Sequence, residues 1–281
     1  MFPFAQHDRE EKSRHVVYDL ELSMFVKGIL LALSCLLVGC GEPKDPVVEQ
    51  TIEQIYQLEP TGSVSIRNDD GCIDIYGADV REMRVEIIKR AYSKERLDKI
   101  EVNVSAQPSS VSIETRFPKK PHWGLADRSG TVDYALVVPQ TATISRAEAS
   151  NGEITIEGMR GASVHSQLEN GRLYARNCFS DFHTAVSNGT LTVIYDWWEK
   201  AKFSINARVA NGNATVFMPG YASFHLVAEA ATGKIGNDFA EPAEREAEDV
   251  TKIDRMIGSA PIPEITLRAD DGNIEIIEQN P

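Results

Sequence analysis

Chemistry-bearing side chains are few in this chain of 281 residues, and the ones that recur do so at a fixed offset. Aligned on a repeated turn pair, with two extra residues allowed in one repeat, His165, His183, Asn206 and His225 fall in one column pointing outward. Imidazoles stacked at strand spacing can hold a metal or respond to pH. Asn206 interrupts the column and no carboxylate or cysteine completes a ligand set, so the expectation is an exposed polar ladder and no metal. Asp69-Asp70 and Asp270-Asp271 can attract calcium, but they lack the glycine-aspartate periodicity of calcium-binding rolls and read as solvated turns. The aromatic outliers are Tyr195, Trp197 and Trp198 in the longest repeat, and Trp123 in an earlier loop. They form a candidate contact patch for a sugar ring or a protein partner; packing against the core is the competing reading. The chain has no nucleophile elbow, Cys-x-x-Cys, His-x-x-x-His or phosphate-cradling glycine loop. No catalytic residue, cofactor or enzymatic activity is expected.

The elements that must carry these residues announce themselves by repetition. A turn pair recurs at Asp70-Gly71, Asn151-Gly152, Asn170-Gly171, Asn188-Gly189, Asn211-Gly212, Thr232-Gly233 and Asp271-Gly272. Alternation flanks each copy. Before the turn, one face reads Val64 and Ile66; Ser145, Ala147 and Ala149; Val164, Ser166 and Leu168; Phe182, Thr184 and Val186; Ile205, Ala207 and Val209; Ile265, Leu267 and Ala269. After it, pairs such as Ile73 and Ile75, Leu173 and Ala175, or Ile274 and Ile276 continue the pattern. A period of two with β-branched and small residues on one face predicts half-buried strands. Asn-Gly supplies the positive φ that a corner or a tight hairpin needs. Repeats near twenty residues with small inner residues favour an all-β solenoid in which each pair is a corner. An antiparallel β-sandwich of stacked hairpins is the alternative. Ser93 is placed to cap one short helix, with Leu97 and Ile100 on its buried side.

The chain's address is clearer than its activity. Gly28 to Val38 is an apolar run within the length of a secretory segment and too short to span a bilayer. Leu37-Val38-Gly39-Cys40 closes it and resembles the lipobox at which bacteria cleave and lipidate exported lipoproteins. That resemblance implies cleavage between Gly39 and Cys40, lipid on Cys40 and stable anchoring to a membrane. Gly41 in place of aspartate favours the outer membrane or cell surface, exposed to the periplasm or the exterior. The acid-rich stretch from Met1 to Ser23 is unlike a signal n-region, whereas Met24-Phe25-Val26-Lys27 suits one, so Met24 is the expected initiator. The first 40 residues hold five acids and four bases, which leaves 37 acids against 25 bases and a net charge of −12. With no Lys/Arg cluster, that balance argues against nucleic acid. Cys72 and Cys178 are expected as separate thiols, since nothing in the sequence brings them together.

The succession Val64-Ser65-Ile66-Arg67-Asn68-Asp69-Asp70-Gly71, Asp74-Ile75-Tyr76-Gly77, Val85-Glu86-Ile87-Ile88-Lys89-Arg90, the Ser93 helix, Val137-Val138-Pro139, the Asn-Gly repeats and Phe217-Met218-Pro219 resembles the bacterial DUF4097 family of proposed adhesins. The likeness runs from about residue 50 to the end, and it implies a right-handed β-helix-like fold and a cell-surface role. The charged excursion from Asn237 to Asp249 is longer than that pattern expects. The resulting division is an extension over 1–23, a lipoprotein signal over 24–39, a lipidated tether over 40–49, an N-terminal β-unit and cap over 50–142, and a β-solenoid repeat region over 143–281. A membrane-anchored, non-catalytic binding protein is the first functional expectation, with a glycan or an envelope protein as partner. A structural or regulatory envelope-stress component and a carbohydrate-active β-helix enzyme are the alternatives.

Overall fold

In the computed structural model, which describes residues 47–119, 127–240, 250–259 and 263–279, alternation in the sequence becomes alternation in burial. The strands are β1 (Val48–Gln57), β2 (Ser63–Ala78), β3 (Glu82–Ala91), β4 (Glu101–Gln107), β5 (Ser110–Arg116), β6 (Thr131–Pro139), β7 (Thr143–Glu157), β8 (Ser163–Arg176), β9 (Asp181–Ile194), β10 (Ser204–Pro219), β11 (Phe224–Thr232), β12 (Ile235–Asn237), β13 (Lys252–Ile257), β14 (Glu264–Asp271) and β15 (Ile274–Gln279). Among the described residues, one short helix, α1 (Lys94–Asp98), is capped by Ser93, whose Oγ accepts from the Arg96 N–H at 3.2 Å. Leu97 and Ile100 are buried beneath it. The signal segment and Cys40 lie outside the described residues, and no helix among those described is long and apolar enough to cross a membrane.

The protein is all-β, and its strands form one sheet of mixed order that does not close. The repeats pair in parallel and in register. Leu168 stands beside Val186, and Val186 beside Val209. Asn151, Asn170, Asn188 and Asn211 align in the same way. The Asn-Gly pairs are therefore bends within long parallel strands, and the hairpin alternative does not fit them. Each bent strand has two arms, one before the turn and one after, and both send apolar residues to the same interior. In β9 and β10, for example, Phe182, Val186, Leu191, Val193, Ile205, Val209, Ala214 and Val216 are all buried. Burial of one such Val, Leu or Ile contributes roughly 1.5–3 kcal/mol. Ser166 and Thr184 also point inward and satisfy each other by a hydroxyl hydrogen bond of 2.9 Å.

Two details depart from the sequence reading. Ser145, expected inside, is exposed, because a bulge places both Ser145 and Arg146 between the inward residues Ile144 and Ala147. The stacking order also departs from chain order. After β10 the next layer is β14 and β15, and β11 with β12 lies beyond them. The final segment of the chain is thus an interior layer.

Candidate functional site

The outward face of the first arms carries a groove of about 460 Å³. Its walls follow from register. In one column the bulged pair Ser145 and Arg146 opposes the single residue His165, and His183 and Asn206 continue the row. The two imidazoles stack with centroids 4.9 Å apart and planes 17° off parallel. In the adjacent column Glu148, Gln167, Ala185 and Arg208 succeed one another. Ala185 lacks the long side chain of its neighbours and so opens the notch, with the buried, inward-pointing Ser166 and Thr184 beneath it. Arg146 donates through Nη2 to Glu148 at 2.6 Å, and Arg208 through Nη2 and Nε to Asp270 at 2.6 and 3.1 Å. Each guanidinium keeps Nη1 outside these bonds.

His225 does not join the imidazole column. β11 pairs with β14 without the two-residue allowance made in the sequence alignment, so Val227 takes the column position beside Thr266. His225 lies beside Glu264 instead, with Nε2 2.8 Å from Asp254 Oδ1. The aspartate pairs have local uses. Asp70 accepts from the Asn151 amide at 2.8 Å, and Asn170, Asn188 and Asn211 each donate to the preceding asparagine at 3.0 Å, forming an amide ladder along the bend. Among the described residues no three metal-binding side chains converge.

The aromatic loop between β9 and β10 splits into support and surface. Tyr195 is fully buried and donates its hydroxyl to the Cys178 carbonyl at 2.6 Å, so it presents nothing to a partner. Trp198 is partly buried and packs edge-on to Tyr195 at 5.4 Å and against Phe203 and Phe224. Trp197 is 41% exposed, with Tyr221 at 63% nearby, its hydroxyl accepting from the Trp198 N–H. Trp197 lies 5.8 Å from Phe179 and donates Nε1–H to Glu199 at 2.7 Å. Glu199 in turn holds Arg160 by two bonds of 2.6 and 2.7 Å. Trp123 lies outside the described residues. Cys72 and Cys178 are both free, and burial pushes the Cys178 thiol up to about 12.

No family model matches this chain, and no curated protein matches it. Solved structures do. A candidate cell adhesion protein from Clostridium sporogenes is 16% identical, with a TM-score of 0.46, over 82% of this chain and 100% of its own. A candidate adhesin from Bacteroides fragilis is 12% identical, with a TM-score of 0.33, over 81% of this chain and 97% of its own. A third, from Parabacteroides merdae, is 7% identical at a TM-score of 0.19. These neighbours are bacterial proteins of adhesin type, and at such identities and scores they assign no role to individual residues here.

Arg146, Gln167, Ala185 and Arg208 were missed by the sequence reading. Three of them were accessible to it: Gln167, Ala185 and Arg208 each stand three residues before the Asn of their turn, so the alignment that found the imidazoles also stacks them. The fourth had its own signal, since two consecutive polar residues between Ile144 and Ala147 break the alternation and mark the bulge.

The Arg160–Glu199 fork carries a pH prediction. Arg160, and then the Trp197 N–H, hold the Glu199 carboxyl down at about 2. A depressed carboxyl stabilises the fold above its unfolded value, and that contribution is lost as pH falls toward the folded value. The side chains are 36% and 32% exposed, so solvent screening limits the pair to about 1 kcal/mol. Glu199→Gln is expected to lower the urea midpoint at neutral pH, with the difference from wild type vanishing near pH ~2. A difference that grows on acidification would reject this account.

Proposed function

We propose that this protein is an exported bacterial lipoprotein, held on the envelope by lipid on Cys40, whose repeat domain is a non-catalytic binding module of adhesin type. The fold reading that goes with it is a right-handed β-helix-like solenoid in which each Asn-Gly pair is one corner. The observation that carries the binding role is the in-register stack itself, because register turns single outward residues into continuous columns and leaves a groove across them lined mostly by residues with polar side chains. Stacked repeats commonly bind along such extended surfaces. Supporting the anchor is Leu37-Val38-Gly39-Cys40 at the end of the apolar run. The aromatic loop is proposed as a second contact surface, with Trp197 and Tyr221 outermost, Trp198 and Tyr195 beneath them, and Trp123 grouped with them from the sequence.

Lipid labelling tests the anchor. Wild-type protein expressed in a bacterial host with labelled palmitate is expected to take up label and sediment with membranes, whereas Cys40→Ser takes up none and is released to the aqueous fraction. Wild-type protein that stays aqueous and unlabelled would refute the lipoprotein reading. For the binding role, glycan arrays and envelope-protein pull-downs with the mature chain are expected to return a ligand at micromolar levels. Silence on both would refute it.

A further inference from the structure

We propose that the groove over Ala185 takes a linear acidic glycan lying across the strands, its carboxylates met by Arg146 and Arg208. This rests on the reading of the domain as a binding module and names its ligand class. Ala185 is the first observation. Its column runs Glu114, Arg67, Glu148, Gln167, Ala185, Arg208, Arg268 and Glu229, and every other position carries a long polar side chain. The single short residue opens the notch at the middle of the face. An independent observation is the bulge at Ser145 and Arg146, which gives the adjacent imidazole column one extra outward side chain at the rim of that notch. Bulges re-aim side chains in this way beside binding sites.

The lining identifies the ligand. The same lining holds the His165–His183 stack, the Gln167 and Asn206 amides and the Glu148 carboxylate. Stacking uses the imidazole faces on each other and leaves ring edges for hydrogen bonds. These hydrogen-bonding side chains suit a chain of hydroxyl groups. Parallel strands repeat every ~4.8 Å, so a polymer crossing them meets equivalent groups from layer to layer. Charge selects acidic sugars. Arg146 and Arg208 flank the notch on opposite sides, each with Nη1 left over from its pairing with Glu148 or Asp270, and guanidinium is the donor that matches carboxylate geometry. The lining sets the two guanidinium groups of Arg146 and Arg208 against the single carboxylate of Glu148, a local balance unlike the net charge of −13 of the whole chain.

The test is titration calorimetry of the full mature lipoprotein in detergent with an oligogalacturonate, and with the neutral oligogalactose as control. Ala185→Tyr fills the notch with a residue that strands accommodate well. Arg146→Gln with Arg208→Gln removes the cations without shortening the chains much. The expected result is micromolar binding of the acidic oligosaccharide that weakens with salt, and a loss of at least about tenfold in both variants. Equal affinity for the neutral sugar, or unchanged binding by Ala185→Tyr, overturns the proposal. If neither sugar binds while a neutral array glycan or an envelope protein does, the acidic-glycan assignment falls and the binding-module reading stands. If no ligand of any class is found, the binding-module reading falls with it.

Discussion

Gly189→Ala is expected to unfold the repeat domain or to lower its stability by at least about 3 kcal/mol, measured by urea denaturation followed by far-ultraviolet circular dichroism. The cause is twofold. Gly189 has φ of +143°, a region that residues with a Cβ rarely enter. A Cβ built there would also stand 1.8 Å from the carbonyl oxygen of Gly171. That oxygen belongs to the backbone of the layer below and cannot swing away as a flexible side chain would. The same constraint recurs up the stack: a Cβ on Gly171 would stand 1.8 Å from the Gly152 oxygen, and one on Gly212 1.8 Å from that of Gly189. Relief at one level therefore forces displacement at the next. A control separates this from a general effect of surface mutation: Ala185→Tyr, on the same strand, is expected to leave the midpoint near wild type. A Gly189→Ala protein with an unchanged midpoint would mean that the bends are looser than the stack requires.

Legibility in the sequence followed how local the cause was. The bends were readable because Asn-Gly carries its own conformational reason, and Leu168, Val186 and Val209 shared a row because each stands two residues before its turn. The Ser93 cap was equally local. His225 was misplaced because only the partner strand decides whether an allowance of two residues is used, and that partner, β14, comes from the end of the chain. Ser145 was misassigned inward because strict alternation was carried through a bulge. Trp197 and Trp198 were grouped as one surface, yet one packs against Phe203 and Phe224 while the other faces solvent, a division set by tertiary packing and not by adjacency. The groove lay in the same turn alignment but only when read across repeats, because an alanine gains meaning only beside Gln167 and Arg208 of the flanking layers.

Removal of the chain after Gly258 is the second large effect. A repeat lost from the end of a stack ordinarily exposes one face and leaves the rest standing. Here the lost segment is β14 and β15, whose neighbours are β10 on one side and β11 with β12 on the other. The glycines record the same order, since Gly272 lies against the Gly212 oxygen and Gly233 against the Gly272 oxygen. Ile265, Leu267, Ala269, Ile274 and Ile276 leave with the segment, each no more than 1% exposed. Four of the five are large, and at roughly 1.5–3 kcal/mol each their loss approaches the whole stability of a typical domain, about 5–15 kcal/mol. The truncated chain is thus expected to show no cooperative urea transition and to bind a hydrophobic dye. Deleting β1 instead is the contrast. Among the described residues it pairs only with β3 and none of its residues is buried, so its removal is expected to lower the midpoint modestly and keep the transition cooperative. Should the two deletions cost the same, or the C-terminal one cost less, β14 and β15 would not be the interior layer that their register makes them.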